Sequence, residues 1–312
     1  MLERALRWTG VAVGAVILVT LLSAVASAMD FAPWSTPVNA EAVPGTSSDL
    51  NTSFNDGCPI QSPDGLSLYI ASNRPNGLGG QDIWVATRES TDARWGAPQN
   101  LGAPINSAAN DFCPTPLRGN RLLFVSERGG PGSCGSGDIY LARLNPAHGW
   151  SDPENLGCQV NSAAGEAGPS YFETASGAQL YCSSTRGGDS DVYASSQLAD
   201  GSFGPAVPVA SLNTASDDFR PNVRKDGLEV VFDSNRAGTL GGQDIWSATR
   251  DSVDDGWSTP VDLTTVNSSA NETRASLSWD GRTLTFGSNR SGGEGMADVY
   301  ESTREQLTHQ AS

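Results

Sequence analysis

Five carboxylates, Asp56, Asp111, Glu166, Asp218 and Glu272, each stand five residues after an Asn that is followed by Ser or Thr, at Asn51, Asn106, Asn161, Asn213 and Asn267. A ring of carboxylate oxygens would suit a hard cation such as calcium, although no single loop has the spacing of a calcium loop. Carboxylates can also act as the acid and base, or acid and nucleophile, of glycoside cleavage. That chemistry needs unequal environments which push the proton affinities of two groups apart. Here every notable carboxylate has four counterparts. An Arg recurs in phase with them, at Arg74, Arg128, Arg186, Arg236 and Arg290, and so does a second acid, at Asp82, Asp138, Asp191, Asp244 and Asp298. The leading reading is architectural: Arg–carboxylate forks that fix loop geometry within or between repeated units. With only 2 His, the chain has little material for a His-based metal site or a Ser-His-Asp triad.

The elements that must position these residues follow from the same repeat. The second acid opens an Asp-(Ile/Val)-(Trp/Tyr) signature whose successive spacings are 56, 53, 53 and 54 residues, a period typical of propellers and solenoids. The chain holds 35 Gly and 18 Pro, which favours short strands and tight turns. Each unit reads as four strands. The first follows the carboxylate and turns at a hairpin such as Ser62-Pro63-Asp64-Gly65. The second is apolar, the third begins at the repeated Asp, and the fourth begins at an aromatic: Trp34, Trp95, Trp150, Phe203 or Trp257. Trp34 has no earlier strands to belong to, and the last unit stops at Arg304 without an aromatic segment. These matching deficits predict an all-β, five-bladed β-propeller over residues 29–304, four antiparallel strands per blade, closed by the N-terminal strand completing the last blade.

Arg4 and Arg7, an apolar run from Trp8 to Val25 and the small residues Ala26-Ser27-Ala28 predict a signal peptide over 1–28, with an uncleaved anchor as the alternative. Residues 305–312 read as a flexible tail. The expected location is periplasmic or secreted, with membrane contact only if the leader is retained. A formal charge of −16 argues against nucleic acid as a partner. Of the 5 Cys, Cys182 aligns with core positions and reads as a buried thiol, while the expected disulfides are Cys58–Cys113 and Cys134–Cys158.

The pattern Ser-Pro-Asp-Gly…Leu-Tyr…Ser-Asn-Arg…Gly-Gly-Gln-Asp-Ile-Trp…Trp-Gly-Ala-Pro-Gln-Asn-Leu, within residues 62–101, resembles the WD-like propeller repeat of the TolB type. The resemblance covers roughly residues 31–304. It implies an exported bacterial propeller that binds proteins, peptidoglycan-associated partners or small ligands. No extra domain is recognisable before the ring and the repeats are longer, so a Tol-system role is not carried over.

Strands that alternate up and down place the Asn-to-carboxylate loops and the glycine-rich loops on one face, and the Asp-Gly hairpins on the other. The first face carries the longer, more variable loops, including Asn76, Leu78 and Gln81, and collects the five carboxylates. A cationic or polyhydroxylated ligand, or a basic protein surface, is expected there. The aromatics nearest to a sugar-stacking role are Phe54, Phe112, Tyr171 and Phe219. The expected function is an exported, non-enzymatic binding or scaffold propeller with a protein or carbohydrate partner, no catalytic residue and no cofactor, a cation such as calcium at the channel mouth being the alternative to none. The alternative is a carbohydrate-binding or glycoside-hydrolase propeller.

Overall fold

The computed structural model describes residues 31–174 and 177–307. The expected leader at 1–28 and residues 308–312 of the expected tail lie outside the described residues. Five four-stranded antiparallel blades form a ring, as the repeat predicts. From inner to outer strand, blade one is Asp56–Gln61, Ser67–Ser72, Asp82–Thr87 and Gln99–Asn100, and blade four is Asp218–Val223, Glu229–Ser234, Asp244–Thr249 and Val261–Asp262. Blade two adds a short hairpin strand, Gly149–Trp150, beside Asp138–Asn145. Among the described residues no helix is long and apolar enough to cross a membrane.

Ring closure occurs where the unmatched termini require it. Val38 pairs with Glu301 and Asn39 with Tyr300, so residues 38–39 form the outer strand of blade five. Ser35 N–H also donates to the Thr303 carbonyl at 2.8 Å. The Trp34 ring is buried under the Arg304 guanidinium, 4.1 Å from its carbon to the ring centre. The same pair recurs as Arg88 over Trp95 at 4.0 Å and Arg250 over Trp257 at 4.1 Å. Each of these arginines also donates Nε to a hairpin glycine carbonyl, at Gly65, Gly227 or Gly281. The guanidinium thereby ties the third strand, the hairpin and the fourth-strand aromatic of one blade together.

Aromatic and aliphatic side chains form one apolar cluster per blade interface. Phe172, Tyr181, Val223, Phe232 and Trp246 join blades three and four, for example, and Leu50, Leu68, Trp84 and Val299 join blades five and one. Cys182 pairs across the sheet with Tyr193, as Phe124 does with Tyr140, so it occupies the expected core register and is buried there. Burial pushes its thiol up to about 12. Cys134 and Cys158 form the expected disulfide. Cys58 and Cys113 are not bridged: both are free thiols, with sulfurs 2.7 Å apart. Peptide mapping under non-reducing conditions should find Cys134 linked to Cys158 and Cys182 unpaired. A bridge to Cys182 would contradict its place in the core.

The closing segment also carries a pH dependence. Burial, then the neighbouring Glu294, push the Glu41 carboxyl from its ordinary 4.5 up to about 7. Because the folded value lies above the unfolded one, the seam is most stable below about pH 4.5 and loses stability as pH rises towards 7. Glu41→Gln should therefore flatten the fall of the thermal midpoint across that interval, and a variant that keeps the wild-type slope would place the dependence elsewhere.

Candidate functional site

The five in-register carboxylates are structural. Asp56, Asp111, Asp218 and Glu272 are fully buried, and Glu166 nearly so. Each is met by the repeated Arg of its own blade: Arg74–Asp56 at 2.5 Å, Arg128–Asp111 at 2.8 Å, Arg186–Glu166 at 3.0 Å, Arg236–Asp218, and Arg290–Glu272 at 3.0 Å. Each also accepts from the backbone N–H and hydroxyl of the Ser or Thr four residues earlier, as Asp111 does from Ser107. The repeated Asn bridges neighbouring blades: Asn106 Oδ1 accepts from Ile83 N–H and its Nδ2 donates to the Ile83 carbonyl. Four of the third-strand acids, Asp82, Asp138, Asp244 and Asp298, accept from the glycine-rich loops, Asp138 from Cys134 and Gly135 N–H, and Asp82 from Leu78 and Gly79 N–H. With all their oxygens engaged inside the ring, Asp56, Asp111, Glu166, Asp218 and Glu272 cannot present a ligand-binding ring at the channel mouth, which corrects that expectation.

Asn76 and Leu78 are exposed on the loop face and Gln81 is half-buried. Gln81 lines a 240 Å³ cavity over the channel, together with Phe112 and Phe219. What fills the axis below it comes from a bulge shared by all five inner strands. Register breaks just after the carboxylate, and the bulged residues Cys58, Cys113, Gly168, Arg220 and Arg274 have φ of 50°, 49°, 57°, 46° and 50°. A bulge in the left-handed region re-aims its side chain, and here the five converge. Gly168 has no substitute, because a Cβ there would meet the Arg220 backbone, its Cα at 2.6 Å. Arg220 is paired with the fully buried Asp233 at 2.6 Å. Arg274, fully buried, donates towards Pro114 O and Thr115 Oγ1 while its Nε and Nη1 have no partner.

The opposite, hairpin face carries a cavity of 530 Å³ between blades one and five. Asp64, Asp92, Asp280 and Glu301 line it with Arg88, Arg94 and Arg282, and Trp95 and Trp279 supply aromatic surface. Asp64 accepts from Ser62 Oγ at 2.5 Å and Leu66 N–H at 3.0 Å, and these bonds hold its carboxyl below the ordinary range. Burial pushes the Glu301 carboxyl the other way, against the opposing pull of Arg94 and Arg88. Half-buried Trp279 sits at the rim, with the Arg118 guanidinium 4.5 Å and the Lys225 ammonium 5.2 Å from its ring centre.

Glu301 and Trp279 escaped the sequence reading, and both carry the same signal. Glu301 stands where the other third strands have Val85, Leu141, Ala194 and Ser247. Trp279 stands where three other hairpins have Pro63, Arg118 and Lys225. Departure from the repeat, rather than membership in it, marks a residue that the fold does not need.

No family model and no curated protein sequence matches the chain. Solved structures do. An α-L-arabinofuranosidase from Lactobacillus brevis matches at TM-score 0.54 and 13% identity, over 87% of this chain and 95% of that one. A thermostable family-43 glycoside hydrolase matches at TM-score 0.53 and 12% identity, over 85% and 93%. TolB from Acinetobacter baumannii matches at TM-score 0.47 and 15% identity, over 80% of this chain, which spans 54% of that one. At these identities the likeness is one of fold, and the resemblance to the TolB type stays at that level. It nonetheless overturns the non-enzymatic scaffold as the leading expectation, because the structures matched at TM-scores above 0.5 include glycoside hydrolases whose near-full length is this ring.

Proposed function

We propose that this propeller acts on carbohydrate through the hairpin-face cavity between blades one and five, outside the cytoplasm. The observation that carries the reading is the cavity's lining: planar hydrogen-bonding groups of both signs, Asp64, Arg88, Arg94, Asp280 and Glu301, around a space large enough for a sugar unit, with Trp279 at the rim. Sugar hydroxyls are donors and acceptors at once, and a cavity that offers both can satisfy them as they leave water. The arabinofuranosidases and family-43 hydrolases built on the same ring support the class of ligand, and the disulfide supports an oxidising compartment.

A specific observation favours hydrolysis over binding alone. Glu301 holds its proton more tightly than an ordinary glutamate while Asp64 releases its own more readily, the split that divides acid from base in glycoside cleavage. Glu301 is then the proton donor to the leaving oxygen and Asp64 the charged partner.

Titration calorimetry and reducing-sugar release against a panel of arabinose- and xylose-containing oligosaccharides test both readings. Arg94→Ala is expected to weaken glycan binding by about tenfold, the loss of one charge-assisted contact, with the thermal midpoint unchanged because Arg94 is exposed. Glu301→Gln is expected to abolish release while leaving binding within a few fold. A wild-type protein that binds none of the panel, or an Arg94→Ala variant that binds equally well, overturns the assignment of the cavity.

A further inference from the structure

Two cysteines that the repeat does not require meet on the channel axis. Cys58 and Cys113 occupy the bulges of blades one and two, at the positions filled by Gly168, Arg220 and Arg274 in the other blades, and their sulfurs lie 2.7 Å apart. Cys113 is buried, whereas Cys58 is half-buried, and both line the 240 Å³ loop-face cavity. A small thiol entering from that face therefore reaches the Cys58 sulfur first. Behind the pair stand two arginines, and the unpartnered Nε and Nη1 of Arg274 are buried there.

We propose that Cys58 and Cys113 form a reversible thiol–disulfide centre that takes two electrons from thiols arriving at the loop-face mouth of the channel. In the oxidised centre, a thiolate RS⁻ attacks Cys58 Sγ, the S–S bond breaks, and Cys113 leaves as thiolate. A second RS⁻ attacks the R sulfur of the mixed disulfide, forming RSSR and releasing Cys58 as thiolate, which takes up a proton. The sum converts one protein disulfide and two thiols RSH into one protein thiol at Cys58, one thiolate at Cys113, RSSR and one released proton. The reverse sequence, with a low-molecular-weight disulfide as oxidant, closes the pair again.

The surroundings favour this direction of attack. Burial alone would raise the Cys113 thiol, but the hydrogen bond with Cys58, the charges of Arg274 and Arg220, and the Gly168 N–H together bring it down to about 6. A thiolate stabilised in this way leaves faster, and stabilising the reduced form makes the corresponding disulfide easier to reduce. Cys182 has no such partner; its thiol is pushed up and packed in the core between blades two and three.

The test uses the full chain, oxidised with glutathione disulfide, equilibrated in a series of glutathione redox buffers, trapped by alkylation and read by peptide mass. Cys58–Cys113 should form under the oxidant and be half-reduced at a reducing ratio at least about tenfold milder than Cys134–Cys158 requires. Arg274→Gln should narrow that gap, and where this buried substitution fails to fold, the reduced wild-type chain supplies a second measurement: one thiolate absorbance should titrate well below an ordinary cysteine and be lost in Cys113→Ala. A pair that stays as thiols under the oxidant, or that resists reduction as strongly as Cys134–Cys158, overturns the proposal. No sugar is present in these measurements, so their failure leaves the reading of the hairpin-face cavity untouched, and the converse holds.

Discussion

Removing residues 31–43 should leave a chain that no longer melts as one cooperative unit. That segment supplies Trp34 and Ala40 to the buried surface and the two-residue strand that pairs with Tyr300 and Glu301. Deleting a single buried aromatic costs about 3–5 kcal/mol, and a domain of this kind holds only about 5–15 kcal/mol in all. The deletion removes Trp34, its stacked Arg304 contact and the backbone pairing together, so most of that reserve goes at once. Without it the third strand of blade five also becomes an unpaired edge, an invitation to association. Circular dichroism melting and gel filtration of the truncated chain should show a midpoint lowered by tens of degrees, or oligomers. Trp34→Ala, which keeps the strand, should fall between the truncation and the wild type. A truncated chain with the wild-type midpoint would mean that the ring does not depend on the closing strand.

The fold was legible because its cause is periodic. A blade must repeat its turn glycines, its strand-opening Asp and its wedge aromatics to bury five equivalent interfaces, and periodicity survives even where individual residues vary, as Glu166 and Glu272 do for Asp. The closing strand was readable for the same reason, since Trp34 without a blade and blade five without an aromatic are one fact seen from two ends. The site was harder to read because the repeat drew attention to the wrong acids. Asp56 and its four equivalents recur because each satisfies a loop N–H, a hydroxyl and a guanidinium in every blade. A residue held by the architecture five times over has no valence left for a ligand. Glu301 and Trp279 each break the pattern once, and one sequence offers no second copy to show that such a break is more than drift. The bulge after each carboxylate was likewise invisible: the two Cys, the Gly and the two Arg that occupy it have no side-chain chemistry common to all five, only a backbone conformation.

The structural reading of the carboxylates makes a quantitative demand on Asp218. It is fully buried, accepts from Ser234 Oγ at 2.6 Å and Thr214 N–H at 2.6 Å, and is paired with Arg236, itself 8% exposed. Asp218→Ala leaves that guanidinium in the ring with its charge uncompensated, which should cost about 3–5 kcal/mol. The loss should be visible as a lower denaturation midpoint with an unchanged denaturant slope. The double variant Asp218→Ala/Arg236→Leu removes the stranded charge as well. It should recover a substantial part of the loss, because the penalty lies in the unpaired ion more than in the missing attraction. Glu154→Ala serves as the comparison: its pair with Arg143 spans 3.0 Å but the two side chains are 68% and 54% exposed, so water replaces the partner and the cost should stay within about 1 kcal/mol. If Asp218→Ala were as mild as Glu154→Ala and altered calcium or glycan binding instead, the ring of five carboxylates would be a ligand site after all. If the single variant is severe and the double variant milder, those acids belong to the scaffold, and the residues outside the repeat are left to carry function.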